Sequence, residues 1–429
     1  MRKESIVIIM FPVLILLVSL IYFLGLILDF PVMISLLLSV ILFSILVFKF
    51  GTVSDDATLP GNNFLTLTVK GVFLVVSLVL LAKGVLDNAI AYGHWDAYWF
   101  WNYRAKFYTD SKLWDFHAMP THGKDLFQDR VAHSDYPPGL SSAVAFFWKI
   151  SHSNNMVFPF MINAVFSFCI PLLIFSELSR RHLLVSIIIL FVFFLCNDSY
   201  FSFTSLLIAD IWISFFLLAA FVCYNNYRDS HHNKDLFLTG LLLGGLIWSK
   251  NEGLLLTFLF LAFYAKDFFR KPQFKHLISG LCIPVALLVL FKVCYAPSGD
   301  LFITDKHKML ENLTNINRYK IIWTYFIQEI NLHHTYCKWF FILYCICLIF
   351  SKNWLHKQIL FIAVAIAVYF MIYTITPHDI DWHVSTSIDR IIWQFVPIFI
   401  YTITFSLLNT NKKATKHKFD GFQKRKKIN

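Results

Sequence analysis

Two short runs carry residue types suited to proton transfer: His94-Trp95-Asp96-Ala97-Tyr98-Trp99, and His133-Ser134-Asp135-Tyr136-Pro137-Pro138-Gly139. A carboxylate at Asp96 can take the proton of an attacking hydroxyl. Arg104, Lys250 and Arg390 can hold an anionic leaving group, arginine through a two-pronged contact and lysine as a point charge. Asp96, Asp135 and His133, with His383, also offer the oxygen and imidazole donors that hold a divalent ion such as Mg²⁺ or Mn²⁺. Further polar turns are Ser249-Lys250-Asn251-Glu252-Gly253 and Pro377-His378-Asp379-Ile380-Asp381-Trp382-His383, the latter leading into Ser387-Ile388-Asp389-Arg390.

The elements around these turns are apolar. The 429-residue chain is 58% hydrophobic and 15% charged, with a mean hydropathy of +0.63; an ordinary soluble domain carries about 25% charged residues. Runs near 20 apolar residues cross a bilayer as helices, and barrel-type alternation is absent. Helices are expected near 6–28, 32–48, 68–86, 158–178, 183–196, 206–224, 236–249, 253–265, 277–295, 339–350, 359–375 and 391–408. The expected fold is an all-α polytopic membrane protein of about twelve transmembrane helices, within a range of about ten to thirteen. Residues 1–410 form one integral-membrane domain and 411–429 a basic tail. The first apolar segment follows Arg2 and Lys3, lacks a small-residue cleavage site, and reads as a retained anchor.

Lys and Arg placement orients the chain. With the N-terminus in the cytoplasm, the inner loops collect Arg180/Arg181, Arg228/Lys234, Lys266/Arg270/Lys271/Lys275 and Lys352/Lys357, and the tail adds Lys412 to Lys427. The net charge of +11 is then topological signal and attraction to lipid headgroups; basic residues spread over short loops do not form a nucleic-acid surface. The polar turns all fall on the outer face, including a first loop at 87–140 with interfacial helices and a second at 297–338. That is the pattern of an extracytoplasmic active site.

The eight cysteines lie in or beside apolar spans with no CxxC pair, so they read as small buried hydrophobes. No P-loop, HExxH or GxSxG is present, which leaves nucleotide hydrolysis, zinc proteolysis and that form of serine hydrolysis without support. If residues 95–107 are helical, Asp96, Phe100, Tyr103, Arg104 and Phe107 share one side of an interfacial helix. An aromatic belt at headgroup level explains the rings equally well, but not the embedded Asp and Arg. Asp135 precedes the rigid turn Tyr136-Pro137-Pro138-Gly139, just before the chain re-enters the membrane. Asp210 lies about one turn inside an apolar span, where a carboxylate is costly and needs a role or a partner such as Lys250. Lys250 and Glu252 either serve the site or cap two short helices. Residues 308–330 have helical apolar spacing, fitting a lid or a plain connector. Asn312-Leu313-Thr314 matches a glycosylation acceptor, a pattern that arises often by chance.

Taken together, Trp95-Asp96-Ala97 with Trp101-Asn102, His133-Ser134-Asp135-Tyr136-Pro137-Pro138, Lys250-Asn251-Glu252-Gly253, and Trp382-His383 with Ser387 and Asp389-Arg390 resemble bacterial integral-membrane glycosyltransferases of the GT-C superfamily, related to protein O-mannosyltransferases and lipid A aminoarabinose transferases. The resemblance runs from about residue 87 to 397. It implies a hexosyl- or pentosyltransferase that moves a sugar from a polyprenyl-phosphate donor to a glycan, lipid or protein acceptor, facing the exterior of a bacterial inner membrane. The catalytic residue would be Asp96. Arg104, His133, Asp135, Tyr136, Asp210, Lys250, Glu252, His383 and Arg390 would bind substrate, with Arg390 on the donor phosphate or, alternatively, paired to Asp389. The acidic pair of protein mannosyltransferases is here Asp96-Ala97, so a second acidic role would pass to Asp135. One carboxylate suffices for an inverting displacement, whereas retention needs a nucleophile as well. Members of this family often work without a metal.

Two other classes share the composition. A polysaccharide polymerase or ligase using a lipid-linked glycan predicts arginine-rich outer loops, and these are acidic, His-bearing and aromatic. A transporter or flippase predicts mid-membrane charges in repeated halves, and no internal repeat is evident.

Overall fold

The structure is a computed structural model. It describes residues 3–51, 64–109, 135–268, 273–296, 306–334, 336–339, 341–342, 345 and 357–426, with the side chains of 64–67, 306 and 409–426 outside the description. Among these residues there are helices and no strands. Seven helices are long and apolar enough to cross a membrane: Lys3–Ile27 (α1), Val32–Gly51 (α2), Thr68–Asp87 within α3 (Phe64–Asp87), Val157–Ser179, Phe274–Tyr295, Lys357–Ile375 and Ile380–Leu408. The number is eight if Leu183–Leu195 and Asp198–Ser205, which meet at 58°, form one broken span. The chain is thus a multi-pass, all-α membrane protein by the length and composition of its helices.

After α3 the chain makes a π-helical turn, Ala97–Asn102, which runs into α4 (Tyr103–Thr109). There follow α5 (Gly139–Ser151), α6 (Val157–Ser179), α7 (Leu183–Leu190), α8 (Asp198–Ser205), α9 (Asp210–Ser230), α10 (Asn233–Ser249), α11 (Asn251–Phe263) and α12 (Phe274–Leu290). A π-helical turn, Phe291–Tyr295, prolongs α12. The amphipathic segment expected at 308–330 is two helices, α13 (Lys306–Thr314) and α14 (Ile316–Leu332), and the chain continues through α15 (Lys357–Ile375), α16 (Ile380–Ser385) and α17 (Ile388–Lys426).

The core centres on α9, whose residues from Asp210 to Tyr227 are all buried. It packs against α10 and α17, and α10 packs in turn on α12. Gly240 and Gly280 make the last contact possible: a Cβ on Gly240 would overlap the carbonyl of Leu277, and one on Gly280 that of Phe237. Small residues let two backbones approach closely in an apolar medium, where tight packing supplies the attraction.

Polar residues gather at the two ends of this bundle. At one end Ser5 Oγ donates to Glu177 Oε1 at 2.5 Å, Gln358 donates to Asn225 at 2.6 Å, and Tyr224 donates to Asp267 at 2.7 Å. Lys357 and Arg181 belong to this end, with Asp267 and Asp229 as their partners. The other end holds Asp96, Asp135, Asp210, Lys250 and Arg390.

One expectation is corrected here. The helix expected over 206–224 starts at Asp210, because the chain turns at 206–209 with Leu207 in the left-handed region (φ 56°). Asp210 is therefore the first residue of α9, at the positive end of its dipole, rather than one turn inside it. Over 95–107 the chain is helical as a π-helical turn followed by α4, with Phe100 and Arg104 buried.

Candidate active site

The site is built around the turn at residues 135–139. Pro137 and Pro138 lack N–H groups and stiffen the backbone, leaving carbonyls that need donors. Arg104 supplies them: Nη1 donates to Tyr136 O at 2.7 Å, Nη2 to Pro137 O at 2.8 Å, and Nε to Ser141 Oγ at 3.0 Å. Its guanidinium lies over the rings of Phe100 and Trp101, 4.8 and 5.4 Å from their centroids, and is fully buried. Burial lowers its pKa, a shift opposed by Tyr108 and Asp135. Arg104 thus positions the turn; all of its described donors face the protein rather than an open cavity. Tyr136 packs edge-on against Phe100, 5.5 Å between centroids, and lies 5.6 Å from Lys250 Nζ.

Asp135 is held from two sides. Asn251 Nδ2 donates to Asp135 Oδ2 at 2.7 Å, and Lys292 Nζ lies 3.5 Å from the same oxygen. Lys292 also donates to Asn251 Oδ1 at 2.7 Å and to the carbonyl of Asp135 at 2.5 Å.

The break between α10 and α11 supplies the next group. Lys250 has extended backbone (φ −153°, ψ 165°), which turns its side chain out of both helices. Its Nζ is 3.2 Å from Asp210 Oδ1 and 2.9 Å from Glu252 Oε1. Burial alone would lower the Lys250 pKa, but the two carboxylates outweigh it and the net shift is upward. Gln394 Nε2 donates to Asp210 Oδ1 at 2.6 Å, and Tyr369 donates to Gln394 at 2.9 Å.

Asp96 and Arg390 complete the constellation. Arg390 Nη1 donates to Asp96 Oδ2, and Nη2 donates to the carbonyl of Thr386 at 3.0 Å. Arg390 Nε is buried without a hydrogen-bond partner among the described residues. Asp389 accepts the backbone N–H of Arg390 at 2.6 Å, so the guanidinium turns to Asp96 and not to its sequence neighbour. The N–H of Asp96 donates to His94 Nδ1 at 3.3 Å, a bond that makes this nitrogen an acceptor and places the imidazole proton on Nε2. His383 lies in α16, where its Nδ1 is 2.9 Å from Thr376 Oγ1 and its ring packs edge-on against Tyr373.

His133 lies outside the described residues. Asp96 and Asp135 each face a cationic side chain, and among the described residues no three His, Cys, Asp or Glu side chains converge to hold a metal. The donor set is one of ion pairs, so no step below is routed through a metal.

Sequence reasoning passed over Lys292, Gln394 and the amide of Asn251. Lys292 carried a legible signal, since a charge near the end of an apolar span marks a site as Asp210 does. Gln394 and Tyr369 carried none, being single polar residues in helical runs. No protein-family model matches the chain, and neither a curated protein nor a solved structure is found to be similar to it.

Proposed function

We propose that this protein is a membrane glycosyltransferase that moves a sugar from a polyprenyl-phosphate donor to an acceptor hydroxyl, with inversion at the anomeric carbon. The supporting observation is the pairing of Asp96 with Arg390 at the polar end of the bundle, beside the buried Asp210 and Lys250 and the partly buried Glu252. A carboxylate and two cations from distant segments suit a reaction that needs a base on one side and charge stabilisation on the other.

In this reading the acceptor oxygen attacks the anomeric carbon and its proton passes to Asp96. The bond from that carbon to the phosphate oxygen breaks, and polyprenyl phosphate leaves with the bonding electron pair. Arg390 and Lys250 stabilise the added charge. Because Asp96 occupies Arg390 before the donor arrives, a phosphate that engages the guanidinium also releases Asp96 to act as base. One carboxylate performs the displacement, so no covalent sugar–enzyme intermediate is required. The resemblance supports a GT-C-like architecture of about twelve spans. The loop charges support an outward-facing site in a bacterial inner membrane.

The test is transfer of radiolabelled sugar from a short-chain polyprenyl-phosphate donor by the purified protein in nanodiscs, run beside binding of a non-transferable donor analogue. The reading expects analogue binding that Arg390→Ala weakens. Absence of analogue binding by the folded wild-type protein would overturn it.

A further inference from the structure

Next to Asp96 lies an open cleft of about 470 Å³ lined by Tyr92, Gly93, His94, Trp95, Tyr98 and Trp99. Its four aromatic side chains are open: Tyr92 is 59% exposed, Trp95 58%, Trp99 49% and Tyr98 42%. Tyr98 stands edge-on to both Tyr92 (78°, 5.7 Å) and Trp99 (87°, 5.1 Å). Each edge-on contact sets the edge of one ring on the face of the other, which holds the rings in place while the exposed remainder of each ring stays open to a ligand.

We infer that this cleft is the acceptor subsite and that it binds an uncharged carbohydrate stacked on Trp95 and Trp99, an inference that rests on the transferase reading above. Three observations carry it. Among the described residues the lining contains no Asp, Glu, Lys or Arg, so it suits a neutral ligand and not an ionic peptide or a phosphate. Each of its side chains pairs an apolar ring with a polar tip, whether phenol, indole N–H or imidazole. A sugar ring is built the same way, with C–H-rich faces and a hydroxyl rim, whereas an acyl chain covering the cleft would strand those polar tips. The cleft also leads to the proposed base, since His94 Nδ1 accepts from the N–H of Asp96 and lies 3.8 Å from its carboxylate.

The floor of the cleft is fixed in advance of binding. Gly93 has φ +72°, and a Cβ there would meet Leu206 O at 2.8 Å and Leu207 Cβ at 2.9 Å. The N–H of His94 donates to the same Leu206 carbonyl at 2.9 Å. The aromatic platform is therefore pinned to the turn that ends at Asp210, so one rigid segment sets the spacing between the sugar platform and the charged group.

The experiment uses the full chain in nanodiscs with its tryptophans replaced by 5-fluorotryptophan, the ¹⁹F resonances of Trp95 and Trp99 being assigned from Trp95→Phe and Trp99→Phe. Neutral tetrasaccharides of glucose, mannose, galactose and N-acetylglucosamine are titrated in turn. At least one is expected to shift both resonances saturably, with affinity weakened about tenfold or more by Trp95→Ala or Trp99→Ala. These rings are exposed, so the substitutions spare the core; should either variant fail to fold, Tyr98→Ala replaces it. Failure of all four sugars to shift the two resonances overturns the inference. So does broadening of both by paramagnetic lipid acyl chains that no saccharide relieves, which would give the cleft to the bilayer. Saccharide binding without donor-analogue binding removes the transferase reading and leaves a carbohydrate cleft; donor-analogue binding without saccharide binding does the reverse.

Discussion

Arg390 donates to Asp96 across 294 residues of sequence, while Asp389, its immediate neighbour, takes only the backbone N–H. A guanidinium at the start of a membrane helix has little water to solvate it and must find an anion. Here that anion is also the proposed base. The pair joins the loop after α3 to the last membrane helix, and in the proposed mechanism it holds the base inactive until the donor phosphate competes for the arginine.

In that mechanism Asp96→Asn separates binding from chemistry. Transfer is expected to fall about 10²- to 10⁴-fold, the usual loss for a positioned base. Binding of a donor analogue is expected to hold or tighten, because Arg390 no longer has a competing carboxylate. Wild-type turnover by the purified variant would remove Asp96 from the mechanism.

Breaking the buried group at Lys250 acts chiefly on stability. Asp210→Asn leaves the lysine with Glu252 alone and is expected to cost about 3–5 kcal/mol, as when one partner of a buried ion pair is removed. The triple substitution Asp210→Leu, Lys250→Met and Glu252→Gln removes all three charges together and should recover most of that loss without restoring transfer. Thermal unfolding in detergent, run beside the transfer assay, checks both halves.

Arg104 is expected to behave as a scaffold residue. Arg104→Lys keeps the charge but cannot span the carbonyls of Tyr136 and Pro137 together, and should destabilise the protein by about 2–3 kcal/mol through unpaired buried acceptors. The donor-analogue Kd of the folded fraction should stay within about twofold of wild type, a difference of under about 0.5 kcal/mol. A loss of affinity larger than the loss of stability would place Arg104 on the substrate instead.

His334 gives the protein an acid-sensitive joint. Its ring is fully buried against Trp393, with Nδ1 3.1 Å from Tyr336 Oη and Nε2 3.8 Å from Glu329. Burial, aided by His333, pushes its pKa down to about 3 from the ordinary 6.5. The unfolded chain therefore takes up a proton near pH 6.5 that the folded chain refuses. Stability from this site is complete above that pH and falls as pH drops from about 6.5 toward 3, by at most about 1.4 kcal/mol per pH unit. Melting temperatures between pH 7 and 5 should decline for the wild type and flatten in His334→Phe.

What the sequence settled was set by energies that act locally. Apolar runs such as 6–28 and 359–375 have to be helical in a bilayer, because only a helix satisfies its own backbone there without a closed barrel. The polar turns that interrupt them mark where chemistry is to be sought. The proline pair at 137–138 signalled a rigid turn, and Asp210 signalled a partner because an isolated carboxylate in apolar surroundings is costly.

The partners themselves were decided by packing between distant segments. Nothing in residues 95–107 discloses that Arg104 turns to the carbonyls of Tyr136 and Pro137 while Asp96 pairs with Arg390, and nothing near Arg390 shows that its guanidinium goes to Asp96. Lys250 has two carboxylates because the break after Ser249 aims it at the first turn of α9, and Lys292 reaches Asp135 only because α12 packs beside α10. A buried charge dictates that some counter-charge be found, whereas the identity of that counter-charge depends on which helix ends the fold brings within reach of one another.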